Sequence, residues 1–170
     1  MKKIVFVFAF LILFSGCSKT DSVTSVEVAE VYKKGFSASV LAEFGENKAE
    51  IKAAKNGMSI SLTLVSPAEL SGMELEITDE HVKVIYEGME QTLKKDTLPK
   101  GTPFLLLDEL FEELSDPEDF TLSTENEKLF AKGEGFSAVL SKEDFSLISA
   151  EFLAFGTKFT FSDFKFEPAE

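Results

Sequence analysis

A two-residue alternation of apolar and polar side chains, running from Phe36 to Leu64, constrains this chain more than any other feature. Phe36, Ala38, Val40, Ala42 and Phe44 fall on one side of an extended segment; after a turn at 45–48, Ala49, Ile51 and Ala53 continue the pattern. Successive side chains of a strand point to opposite faces, so this period predicts strands with one buried face. Asn56-Gly57 is a hairpin signal, since both residue types accept positive φ. Met58, Ile60, Leu62 and Leu64 then alternate with Ser59, Ser61 and Thr63. Beyond Pro67 and Gly72 the same period recurs in Met73, Leu75 and Ile77, in Val82, Val84 and Tyr86, and in Met89, Gln91 and Leu93. Glu87-Gly88 turns the last pair. Short strands at this spacing predict an antiparallel meander.

The alternation breaks for one strong helix. Thr102 is placed to cap it and Pro103 suits the first helical position. Phe104, Leu107, Leu110, Phe111 and Leu114 form an apolar stripe, with Asp108, Glu109, Glu112 and Glu113 facing away. Asp116-Pro117 ends it. Val28, Val31 and Tyr32 predict a short helix within 26–34, although Val26, Val28 and Glu30 also fit a strand. Strands resume around 120–122, 129–132, 136–140, 145–152 and 158–166, with a turn at Gly133-Glu134-Gly135. In the last of them Phe159 and Phe161 share a face while Phe164 and Phe166 take the other. A bulge at Ser162-Asp163 returns all four to one face. The fold class expected is α+β: one strongly curved antiparallel sheet of about ten strands, with the main helix on its concave side.

Met1-Lys2-Lys3 is followed by an unbroken apolar run, Ile4 to Phe14, well short of a membrane span. Leu13-Phe14-Ser15-Gly16-Cys17 resembles the lipobox of bacterial lipoproteins, with Phe14 where Leu is usual. That resemblance implies cleavage before Cys17 and lipidation of its thiol, palmitate-type acyl chains holding the protein to a membrane. The bland alternative is an ordinary secretory leader with an incidental thiol. The expected division is a signal peptide over 1–16, lipidated Cys17 and a polar tether over 17–25, and one folded domain over 26–170. Cys17 is the sole cysteine, so no intrachain disulfide supports the fold. The location expected is extracytoplasmic, on the cell membrane or on an outer membrane where one exists.

Charge and chemistry narrow the function. The net charge is −13, and all 17 basic residues are Lys. Such a surface repels nucleic acid, and without Arg it has no bidentate fork for phosphate. His81 is the only histidine; beside Asp79 and Glu80 it offers a metal ligand or a base, but also reads simply as an exposed turn residue. With no second His and no free Cys in the body of the chain, zinc hydrolysis and thiol catalysis lack their parts. Asp116, Glu118 and Asp119 offer oxygen ligands, but not at EF-hand spacing. The expectation is a protein that is not an enzyme, with no cofactor and no metal.

Three segments in order carry a wider resemblance. Gly35-Phe36-Ser37-Ala38-Ser39-Val40 resembles the first strand of the outer-membrane lipoprotein carrier superfamily. Thr102-Pro103-Phe104 is similar to the stretch opening its mid-chain helix. Lys158-Phe159-Thr160-Phe161 with Phe164-Lys165-Phe166-Glu167-Pro168 resembles its Phe-rich ending. The resemblance implies a half-barrel whose apolar concave face is covered by a helix lid and takes an acyl chain or a lipoprotein's lipid. It departs in lacking the carrier's Arg and in being anchored. Met58, Ile60, Leu62, Leu64, Val84 and Tyr86, beneath Leu110 and Phe111, are the candidate ligand-binding residues. Periodicity alone does not separate a pocket from a packed core. The alternative is therefore an envelope-anchored protein–protein interaction module with a filled core, presenting a sheet edge or its acidic face to a partner.

Overall fold

The computed structural model describes residues 23–167; Cys17, the leader and most of the expected tether lie outside them. Helix α1 (Ser25–Tyr32) opens the described chain, and strands β1 (Phe36–Phe44), β2 (Asn47–Asn56), β3 (Ser59–Ser66), β4 (Glu74–Ile77), β5 (His81–Tyr86) and β6 (Met89–Lys94) follow. Helix α2 (Pro103–Leu114) separates them from β7 (Thr121–Glu125), β8 (Lys128–Lys132), β9 (Ser137–Ser141), β10 (Leu147–Phe152) and β11 (Thr157–Phe166). The helix–strand ambiguity over 26–34 is resolved by a capping box. Thr24 N–H donates to Glu27 Oε2 at 2.8 Å, and Glu27 N–H donates to Thr24 Oγ1 at 3.3 Å. Val23 packs on the core, so the folded unit takes in residues assigned to the tether.

The strands form a single open eleven-stranded sheet in the order β6-β5-β4-β3-β2-β1-β11-β10-β9-β8-β7. Two antiparallel meanders, β1–β6 and β7–β11, are joined where the first and last strands pair. The sheet curves into the half-barrel expected, and α2 connects one wing to the other. Inward rows run across it: Ala38 faces Ala53, Ala53 faces Leu62, Leu62 faces Leu75, and Leu75 faces Val84. Buried alanines at 38, 42, 49, 53, 131, 138 and 150 leave space that larger rings fill. Phe111 of α2 enters it, its ring centroid 4.4 Å from Phe36 and 6.1 Å from Phe161.

The predicted bulge is present one residue on. The β1–β11 register shifts between Ser37 and Ser39, opposite Asp163 and Phe164, and Asp163 takes φ 52. Phe164 thereby rejoins Phe161 on the inner face, 5.2 Å from Phe36, and Phe166 lies 5.3 Å from Tyr32. Three expectations are corrected. Met58 is not part of the inward row: Asn56 pairs with Ser59, so the turn pair is Gly57-Met58, and Met58 is 86% exposed. Gly57, at φ 63, holds the first turn position, which suits a residue without a Cβ. Asp108 does not face away but is buried. Thr102 stands at the N-cap position, yet its hydroxyl donates to Pro99 O at 2.9 Å instead of capping. Among the described residues no helix is long and apolar enough to cross a membrane.

Candidate functional site

Helix α2 lies as a strap across the concavity, and charged side chains meet it at three places. On the first wing Lys95, just after β6, pairs with Asp108 Oδ2 at 2.5 Å and reaches Glu112 Oε2 at 3.6 Å. Burial raises the Asp108 carboxyl above its usual range in spite of Lys95. Burial also works against the Lys95 charge, but Asp108 and Glu112 outweigh it and hold the ammonium above its usual range. On the second wing Glu109 and Glu113 meet the β8–β9 turn. A Cβ on Gly133 would collide with Glu113 Oε2 and the Phe136 ring, so only glycine lets this carboxyl seat. Burial, with help from Glu109, Asp119 and Glu134, pushes the Glu113 carboxyl up to about 7.

The third contact lies at the helix ends. Lys55 Nζ donates to Tyr32 O at 2.9 Å and to Ser115 Oγ at 3.0 Å, joining the C-termini of α1 and α2. The Ser115 hydroxyl in turn donates to Phe111 O at 2.7 Å. A cation at two carbonyl ends is favoured by both helix dipoles. Sequence reasoning missed Lys55, although its parity with Ala49, Ile51 and Ala53 placed a charge on an inward position. It missed Lys95 as well, for which the sequence held no comparable signal.

The candidate ligand-binding residues separate into three groups. Ile60, Leu62, Leu110 and Phe111 are buried in the hydrophobic core cluster. Met58 stands in the solvent-facing turn. Leu64, Val84 and Tyr86 face inward but are only half-buried, as is Phe44 on β1. Cover thus thins along the strands: on β5, Val82 is fully buried while Val84 and Tyr86 are not. The Tyr86 hydroxyl donates to Glu69 O, fixing the ring at that end.

Two grooves flank α2. The larger, about 860 Å³, runs between the helix, residues 94–101 and Phe155, and is lined by Leu98, Leu105 and Phe155 among charged side chains. The smaller, about 510 Å³, lies by the Gly57-Met58 turn and is lined chiefly by carboxylates of 108–119. His81 borders the larger groove, and its side chain is 46% exposed. Among the described residues no group of His, Cys, Asp and Glu is arranged to hold a metal ion.

No family model matches the chain, and no curated protein matches its sequence. Its fold is similar to several solved structures. An uncharacterized conserved protein from Thermus thermophilus aligns with a TM-score of 0.54 at 13% identity, covering 84% of this chain and 85% of that one. That likeness extends to the fold. A LolA superfamily protein from Nitrosomonas europaea aligns with a TM-score of 0.43 at 10% identity, covering 88% and 96%. The Mycobacterium tuberculosis lipoprotein LppX aligns with a TM-score of 0.45 at 9% identity, covering 86% and 93%.

Proposed function

We propose that this protein is a non-enzymatic envelope lipoprotein, held to a membrane by an acylated Cys17, whose half-barrel binds an acyl chain or another apolar ligand. The observation that carries the ligand reading is the inward band of Phe44, Leu64, Val84 and Tyr86, half-buried where neighbours on the same strands and face are covered. Apolar surface facing a concavity gains about 25 cal/mol per Å² when a ligand displaces water from it. On this reading the site lies toward the half-buried end of these strands. Titration of the leaderless Cys17→Ser protein with a fluorescent fatty acid tests it. Saturable binding is expected, weakened about tenfold by Val84→Phe with the urea midpoint nearly level. Absence of saturable binding to the parent protein discards the carrier reading.

One observation favours a second reading. Leu62, Leu110 and Phe111 are wholly buried, which fits a filled centre, and β6 and β7 are the edge strands of the sheet among the described residues. An open edge accepts a partner strand through main-chain hydrogen bonds. A stoichiometric envelope protein co-purifying with the parent, and lost on Thr92→Pro in β6, would favour this reading.

A further inference from the structure

Helix α2 is held to the two wings by carboxyl groups with opposite needs. Asp108, on the β6 side, has a cation: Lys95 lies 2.5 Å from its Oδ2. Glu113, on the β8–β9 side, has none among the described residues. Its Oε2 is buried, with no hydrogen-bond partner among those residues, seated over Gly133 and against Phe136. The groups facing it are acidic: Glu109 on its own helix, Asp119 in the segment that follows, and Glu134 in the opposing turn. The groove beside it adds Asp79 from the β4–β5 turn, Asp108, Glu112 and Asp116, with only Lys33 and Lys55 to offset them. Lys33 pairs with Glu30 at 2.8 Å, and Lys55 is committed to Tyr32 O and Ser115 Oγ. A neutral carboxyl tolerates this seat, whereas an ionised one is left without a donor among like charges.

We propose that Glu113 is a one-sided latch: its protonated carboxyl seats the C-terminal half of α2 on the β8–β9 turn, and ionisation loosens that seat while the Lys95–Asp108 pair and the Lys55 contact keep the helix attached. The device acts on the lid whatever occupies the concavity, so it does not depend on the ligand proposed above. Burial and the three facing carboxylates bring the Glu113 carboxyl up to about 7, against a usual 4.5. The folded chain then binds the proton more tightly than the unfolded one. The stability of this contact accordingly falls as pH rises from the usual carboxylate range to about 7, and is level above that.

Hydrogen exchange on the full chain, corrected for intrinsic rates and compared between about pH 5.5 and pH 8.5, reads the latch. Protection over 109–115 and 133–136 should drop about tenfold on going to the higher pH, while 104–107 stays level. Glu113→Gln should abolish the pH dependence and keep the low-pH protection. Glu134→Gln, which leaves the latch residue in place, should move the midpoint to lower pH. A pH profile unchanged in Glu113→Gln overturns the proposal. So does a loss spread evenly along α2, or a midpoint that Glu134→Gln leaves unmoved.

Discussion

Lys55 occupies an inward position on β2, where Ala49, Ile51 and Ala53 before it are buried. Burial lowers the affinity of its ammonium for the proton, with Glu112 and Asp108 opposing. It persists there because two helix C-termini converge on it. Lys55→Met keeps the stem but removes the charged donor shared by the Tyr32 carbonyl and the Ser115 hydroxyl, and should cost about 1–3 kcal/mol in urea unfolding. An unchanged midpoint would mean that the two helices dock without it. Leu62 tests the opposite condition, an inward residue wholly buried from solvent. Leu62→Phe should destabilise by about 1–3 kcal/mol through overpacking. Its fatty-acid affinity should match the parent, in contrast to Val84→Phe. At this scale the sequence was legible where parity governs, as for Ile60 and Leu62, and failed where one residue of turn register mattered. Met58 left the inward row because the glycine took the first turn position and moved the hairpin by one. Asp108 misled for a different reason: a charged residue beside an apolar stripe reads as solvent-facing unless its partner is known, and Lys95 lies outside the helix.

Strands were the most legible elements, because alternation and turn chemistry agree at each hairpin. Glu87-Gly88 turns the β5–β6 hairpin with φ 50 and 78, the positive values such a pair supplies. The bulge in β11 was legible too, since four Phe residues could share one face only if an extra residue was inserted. Helix α2 was legible as a helix but not as a strap, because its anchoring groups come from both wings. The Lys95–Asp108 pair carries a prediction of its own. Lys95→Met removes the cation from a carboxylate only 4% exposed. Breaking a buried pair from one side is costly, and allowing for the partly exposed ammonium the loss should be about 2 kcal/mol at neutral pH. Without Lys95 the Asp108 carboxyl rises further, so the folded state holds its proton more tightly. The deficit should therefore shrink as pH is lowered toward the usual carboxylate range. A deficit equal at pH 5 and pH 8 would place the stabilisation in the lysine stem's packing and not in the ion pair.

Across the molecule, the chain builds one wing, crosses the concavity with α2, builds the second wing and closes the sheet by pairing β11 with β1. Each meander is local in sequence and could be read from it. The β1–β11 junction joins strands more than a hundred residues apart, and no period or turn signal encodes such a pairing. The resemblance to the carrier superfamily implied a half-barrel but did not name this pair of strands. At this scale the proposed attachment to the membrane rests on Leu13-Phe14-Ser15-Gly16-Cys17, outside the described residues. Anchoring by one acyl chain is marginal and reversible, whereas the two or three chains of a lipoprotein cysteine hold firmly. An acidic chain of net charge −13 gains no electrostatic help from anionic headgroups, so on the proposed reading the acyl chains would supply essentially all of the attachment. Cys17→Ala should accordingly move the full-length protein from the carbonate-washed membrane fraction to the soluble one, with the urea midpoint of the folded domain unchanged. Retention equal to the parent, with the leader shown by mass spectrometry to be removed, would show that another surface of the protein holds it to the membrane.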